Sequence, residues 1–121
     1  MAFPMIAFKG TNTELDPSLQ DVVTQKFSSL EKFIGDETDV KCEVEFEKVT
    51  TQQSGPVHRV EANLWCHGKL YRAEATEDTF EAAIDEVRNE LDKELRRAND
   101  KRDSLMKRGG RKLKDMLRFG S

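Results

Sequence analysis

Apolar residues recur at steps of three and four in two parts of this chain and at every second position in two others. In the first part, Leu19, Val22, Val23, Phe27, Leu30, Phe33 and Ile34 fall on one side of a helical wheel and leave Gln25, Lys26, Ser29 and Lys32 outside. That pattern predicts an amphipathic helix. Asp16-Pro17 opens it, because an aspartate side chain can satisfy free amide groups and proline is tolerated at the first helical position. Gly35-Asp36 closes it. Ahead of it, residues 5–9 form a short apolar run and residues 10–16 supply turn chemistry, so a strand followed by a loop is expected.

From Val40 the period becomes two. Val40, Cys42, Val44 and Phe46 alternate with Lys41, Glu43, Glu45 and Glu47, as in a strand with one wet face. After a polar loop over residues 50–56, Val60, Ala62, Leu64 and Cys66 alternate with Arg59, Glu61, Asn63 and Trp65. His67-Gly68 reads as a two-residue hairpin turn, since glycine supplies a positive φ at little cost. Residues 70–75 return as a further strand. Asp78 and Glu81 then resemble a capping box, with Asp78 as the cap. Behind them Phe80, Ala83, Ile84, Val87, Leu91, Leu95 and Ala98 mark a long amphipathic helix reaching about residue 107, which Gly109-Gly110 interrupts. The predicted order is β-α-β-β-β-α, an α+β domain over residues 1–108 followed by a basic, flexible tail over 109–121.

Length fits this reading: 121 residues suit one core. Charged and apolar residues each make up 36%, the balance of an ordered domain with a heavily solvated surface. The net charge of −3 argues against a polyanion partner until its distribution is examined. Residues 1–86 hold 8 Lys/Arg against 17 Asp/Glu, whereas residues 87–121 hold 12 against 6. Along a helix that separation extends far beyond the screening length of about 8 Å at physiological salt, so the acidic half does not neutralise the basic end.

Candidate chemistry is concentrated in that basic end. There is no Gly-rich phosphate loop, nucleophile elbow or other catalytic constellation, and Glu43, Glu45 and Glu47 read as the wet side of a strand. Cys42 and Cys66 lack metal-ligand spacing with each other or with His58 and His67. Buried strand thiols in a reduced, intracellular protein are expected, with no metal, cofactor or small-molecule substrate. The chain opens without a signal-like segment and contains no apolar run of membrane length, so no membrane partner is expected. Trp65 reads first as a cover for the outer sheet face and second as a stacking platform for a base. At 100° per residue Lys93, Arg97, Lys101 and Arg108 fall within about 80° of one another, with Arg96 and Lys107 beside them. Glu-to-Lys pairing on a solvated helix explains the middle of this stretch. It does not explain residues 96–121, which hold 10 basic and 3 acidic residues. Such a row of cations can follow phosphates along RNA.

Four stretches together resemble the hibernation-promoting factor family, also called ribosome-associated inhibitors or sigma-54 modulation proteins. They are the run from Phe8 through Asn12 with Glu14-Leu15-Asp16-Pro17, then Lys26-Phe27-x-x-Leu30-Glu31-Lys32-Phe33, then Glu47-Lys48-Val49. The fourth runs from Leu70 to Asp85 and leads into Asn89-Glu90-Leu91-Asp92-Lys93-Glu94-Leu95-Arg96-Arg97. The resemblance implies a four-stranded sheet with both helices on one face, similar to double-stranded-RNA-binding domains. It also implies a partner, the small (30S) ribosomal subunit with its 16S rRNA, bound in the mRNA and tRNA channel to silence translation under stress or in stationary phase. A bacterial cytoplasm or a plastid is the implied compartment.

Carried over by position, the RNA-facing residues are Lys26 and Lys32 on the first helix and Lys93, Arg97, Lys101 and Arg102 on the second. Lys48 is a weaker candidate, and charge placement adds Arg96, Lys107 and Arg108. The chain departs from many relatives at Glu90 and Ser29, where they carry lysine, which shifts the expected contact toward Lys93 and beyond. It resembles a short form, since longer relatives continue into a second domain. The competing reading is a protein-interaction module that docks, for example on a transcription factor, through the long helix and Leu113, Met116 and Leu117.

Overall fold

The computed structural model describes the backbone of residues 3–49 and 57–120, and the side chains of these except Ser104 and residues 106–120. The polar loop expected over residues 50–56 lies outside the described residues. Four strands form one sheet in the order β1 (Ile6–Thr11), β2 (Lys41–Lys48), β3 (His58–Cys66), β4 (Lys69–Glu77). β1 runs parallel to β2, and the other two pairings are antiparallel. Parallel neighbours need a crossover, which α1 (Pro17–Phe27) and a 3-10 segment (Ser28–Phe33) supply. The second helix, α2, covers Phe80–Gly120. This is the α+β order that the alternating and helical periods predict.

The apolar rows meet on one face. Cys42, Val44 and Phe46 of β2, Val60, Ala62, Leu64 and Cys66 of β3, and Tyr71 and Ala73 of β4 are all buried. Against them pack Leu19, Val23, Phe27, Leu30, Phe33 and Ile34 from the first helical segment, and Phe80, Ala83, Ile84, Val87, Leu91 and Leu95 from α2. Phe46 joins the layers, lying 6.1 Å from Phe8 in a stacked pair and 5.4 Å from Phe80 edge to face. At the hairpin, His67 (φ 53°) and Gly68 (φ 72°) both adopt the left-handed conformation that a tight two-residue turn requires. Burial pushes the Cys42 thiol up to about 12, with the charge of Glu43 adding to the effect. Both cysteines are buried strand thiols.

Three local details differ from the sequence pattern. The first α-helix ends at Phe27 instead of continuing through Ile34, and the chain tightens into the 3-10 segment. Ser28 Oγ donates to the Gln25 carbonyl at 2.6 Å and Ser29 Oγ to the Lys26 carbonyl at 2.9 Å. Such back-bonding competes with the helical ladder. The cap of α2 is Thr79, whose Oγ1 accepts from the Ala82 amide at 3.1 Å, one residue beyond Asp78. The helical backbone also continues through Gly109 and Gly110, where a break is expected. Each glycine disfavours a helix by only about 1 kcal/mol relative to alanine, and Lys107, Arg108, Arg111 and Lys112 around them are good helix formers. Although α2 has 41 residues, no described helix is long and apolar enough to cross a membrane.

Candidate nucleic-acid interface

α2 leaves the core after Leu95. Among its described side chains the buried ones end there and Ala98 is half-buried, whereas the helical backbone extends for another seven turns or so at 3.6 residues per turn. Residues that emerge from a core on a helix must be solvated, and here they are cationic. Lys93, Arg97 and Lys101 are exposed on one side of α2. Arg97 lies 3.6 Å from Glu94, an exposed i,i+3 pair worth only a few tenths of a kcal/mol. Among the described residues, Lys93 and Lys101 have no salt-bridge partner.

Arg96 and Lys32 meet over one ring. The Arg96 guanidinium is 5.5 Å, and Lys32 Nζ 5.2 Å, from the centroid of Phe33. Phe33 is itself buried at the end of the 3-10 segment, so the two cations come from different elements onto a fixed platform. Lys26 faces α2 and pairs with Asp85. Lys26, Lys32, Lys93, Arg96, Arg97 and Lys101 therefore line the outer side of the two helices. Arg102 stands elsewhere. It is about 180° around the helix from Lys93, half-buried, donates to Asn99 at 3.0 Å, and its charge acts on Cys66 and Tyr71 at the hairpin end of the sheet. Lys48 lies at the opposite end, near His58 and Phe80. The Lys107 and Arg108 side chains lie outside the described residues.

A residue absent from the sequence expectation completes this surface. Arg88 reaches across to the first helical segment, where its Nε and Nη2 donate to Ser29 Oγ at 3.1 and 2.6 Å. The only sequence signal for it is the spacing 88, 92 and 96, which places Arg88, Asp92 and Arg96 on one side of α2. Asp92 holds both, at 3.6 Å from Arg88 and 3.2 Å from Arg96.

The opposite end of α2 is acidic. A hydrogen bond that the protonated Glu77 carboxyl donates to Glu86, then the charge of Glu86, raises Glu77 above the usual glutamate value, as expected where carboxylates crowd. The outer sheet face is charged but largely self-paired. Arg59 sits 3.1 Å from Glu47 and 3.9 Å from Glu45, and also pairs with Glu61 and Glu74. Trp65 covers part of this face, with Lys41 Nζ 5.6 Å from its ring. Among the described residues no cluster of His, Cys, Asp or Glu could hold a metal ion.

Comparison with known proteins places this geometry in a family. Residues 6–103 match the model of the sigma 54 modulation protein / S30EA ribosomal protein family. A ribosome hibernation promotion factor of Mycobacterium tuberculosis is 35% identical over 98 residues, which span 80% of this chain and 44% of that protein. A ribosome hibernation promoting factor of Klebsiella oxytoca is 35% identical over 92 residues, spanning 76% of this chain and 90% of its own length. The fold is also that of the Thermus thermophilus Protein Y N-terminal domain, with a TM-score of 0.63, 22% identity and coverage of 75% of this chain and 93% of that one. A ribosomal subunit interface protein from Coxiella burnetii gives a TM-score of 0.62 at 17% identity over 78% of this chain and 97% of its own. The order of strands and helices, the sequence match across the whole described core and the likeness of fold agree: the chain belongs to the sigma 54 modulation protein / S30EA ribosomal protein family.

Proposed function

We propose that this chain is a ribosome hibernation factor that binds the small (30S) ribosomal subunit through 16S rRNA, in the channel used by mRNA and tRNA. The observation that carries the reading is the row Lys93, Arg97 and Lys101, exposed on the part of α2 that leaves the core, in a chain related to hibernation promoting factors. Cations on a rigid rod meet phosphates without induced folding, and each neutralised phosphate releases counterions. RNA helices are recognised through backbone and shape more than base edges, which suits a surface of lysine and arginine with few other donors.

Inhibition then follows from occupancy. A domain seated in the decoding channel excludes mRNA and initiator tRNA sterically, so no chemical step is required. The unit that binds is residues 1–108, and the sequence of 109–121, with four Lys/Arg against one Asp, adds positive charge beyond it. Ribosome binding places the protein in a bacterial cytoplasm or a plastid. In a reconstituted initiation reaction, the protein is expected to block initiation when added before mRNA and to act weakly when added after the initiation complex has formed. Equal inhibition in both orders would contradict exclusion from the channel.

A further inference from the structure

We propose that the groove between α1 and α2 seats one phosphate of the bound RNA, with Arg88 as the contact residue and Asn89 as the joint to the surface beyond. The inference rests on the RNA-binding reading above and adds a residue and a path to it. A hollow of about 460 Å³ lies between the helices, lined by Gln25, Lys26, Ser29, Asp85, Arg88 and Asn89. A second, of about 450 Å³, lies farther along α2 between Asn89 and Asp100 and includes Lys93, Arg96 and Arg97. Asn89 lines both, so the two hollows form one trough.

Charge along the trough favours an anion. Lys26, Arg88, Lys93, Arg96 and Arg97 line it against Asp85, Asp92 and Asp100. Asp85 is already paired with Lys26, and Asp92 with Arg88 and Arg96. These pairs position the cations and leave the surplus positive.

Arg88 is held in place before any ligand arrives. Its contacts with Ser29 Oγ, and a third from Nη1 to Asn89 Oδ1 at 3.2 Å, fix the guanidinium plane. The side chain is 28% exposed, so one edge reaches the groove mouth. A guanidinium has five N–H donors in a planar fork that matches phosphate oxygens. These hydrogen bonds and the ion pair to Asp92 engage four of them and leave at least one for an incoming oxygen. A side chain already immobilised loses little freedom on binding. Arg88 and Arg96 lie about 80° apart around the helix and about 12 Å apart along its axis, so both cations can meet phosphates of one strand lying across this side of α2.

The test uses the full chain and purified small ribosomal subunits, with affinity measured at several salt concentrations between 50 and 200 mM. Arg88→Gln is expected to weaken binding about three- to tenfold at low salt and to make the slope of log K against log salt shallower by about 0.7 to 0.9. Arg88→Lys should restore the slope but not the full affinity, because lysine keeps the charge without the contacts to Ser29 and Asn89 that hold Arg88 in place. Asn89→Asp, which removes no cation, should also weaken binding by placing a carboxylate at the joint. Arg97→Glu serves as the reference for the RNA-binding reading. Arg88→Gln and Asn89→Asp binding like the parent, while Arg97→Glu fails to bind, would overturn the phosphate seat and leave the reading standing. All three binding like the parent would overturn both. Should Arg88→Gln lose its fold by circular dichroism, Asn89→Asp decides.

Discussion

The Arg96 guanidinium lies 5.5 Å from the centroid of the Phe33 ring while its Nη2 donates to Asp92 at 3.2 Å. One cation thus both ties α2 to the 3-10 segment and faces the trough. Arg96→Ala should lower stability by about 0.5–1 kcal/mol, the scale of an exposed cation–π contact, and weaken small-subunit binding as well. Lys101→Ala, with no such packing, should change stability by less than about 0.5 kcal/mol and affect binding alone. Urea denaturation of both variants beside the binding series checks this separation.

Arg59 organises the outer sheet face, and its charge is held by surrounding carboxylates. Burial disfavours that charge, but the hydrogen bonds Arg59 donates to Glu74 and Glu61 and the charges of both raise its pKa above the ordinary arginine value. Arg59→Met should destabilise the fold at pH 7 by about 1–3 kcal/mol, because Glu45, Glu47, Glu61 and Glu74 lose their shared partner. The pH dependence has a defined sign. For Glu61, burial raises the pKa, yet hydrogen bonds from Arg59 and Asn63 and the charges of Arg59 and Arg72 bring it below the usual glutamate value. A depressed folded pKa contributes stability above the unfolded value, which is lost as pH falls through the folded one. The gap between parent and Arg59→Met should therefore narrow as pH falls from 7 toward 3, and denaturation curves at several pH values measure it.

The cysteines should be inert in the folded chain. The Cys42 thiol is pushed up to about 12 by burial and by Glu43, and Cys66 is also raised, first by burial and then by the charge of Glu37. At pH 8 a disulfide reagent should label neither cysteine in native protein and both in guanidinium chloride, since the thiolate is the nucleophile. Rapid labelling of native protein would contradict the observed packing.

The cap of α2 gives a sharp local test. Thr79→Ala should cost about 1 kcal/mol, because Thr79 Oγ1 takes the Ala82 amide. Asp78→Ala should cost much less. Thermal melts of the two variants distinguish them.

Which parts of the molecule were legible in its sequence follows from the range of the interactions involved. The alternation at Val40 to Phe46 and Val60 to Cys66, and the helical steps from Phe80 to Leu95, identify core residues because burial follows from strand and helix periodicity. All of these but the half-buried Val40 are buried. The exposure of Lys93, Arg97 and Lys101 is readable for the same reason. The cap at Thr79 and the early end of α1 depend on which of two neighbouring hydroxyl or carboxylate groups reaches a backbone atom, and spacing does not distinguish them. Arg88 and Ser29 are 59 residues apart, and Arg59 meets Glu74 across two paired strands. Both relationships appear only once the elements are packed. Arg102 falls within the basic stretch, but its helical angle turns it toward the sheet, where charge counting alone does not place it.

Ribosome binding is expected to rest on the cationic face of α2. The most direct measurement is sedimentation of the parent and of a variant carrying Lys93→Glu, Arg97→Glu and Lys101→Glu with small ribosomal subunits, at 50 and 200 mM salt. The parent should co-sediment at low salt and, with about six phosphate contacts, bind roughly a thousandfold more weakly at the higher salt. The folded triple variant should remain in the supernatant at both. Co-sedimentation of the triple variant as in the parent, or parent binding that is insensitive to salt and depends instead on Leu113, Met116 and Leu117, would contradict the account.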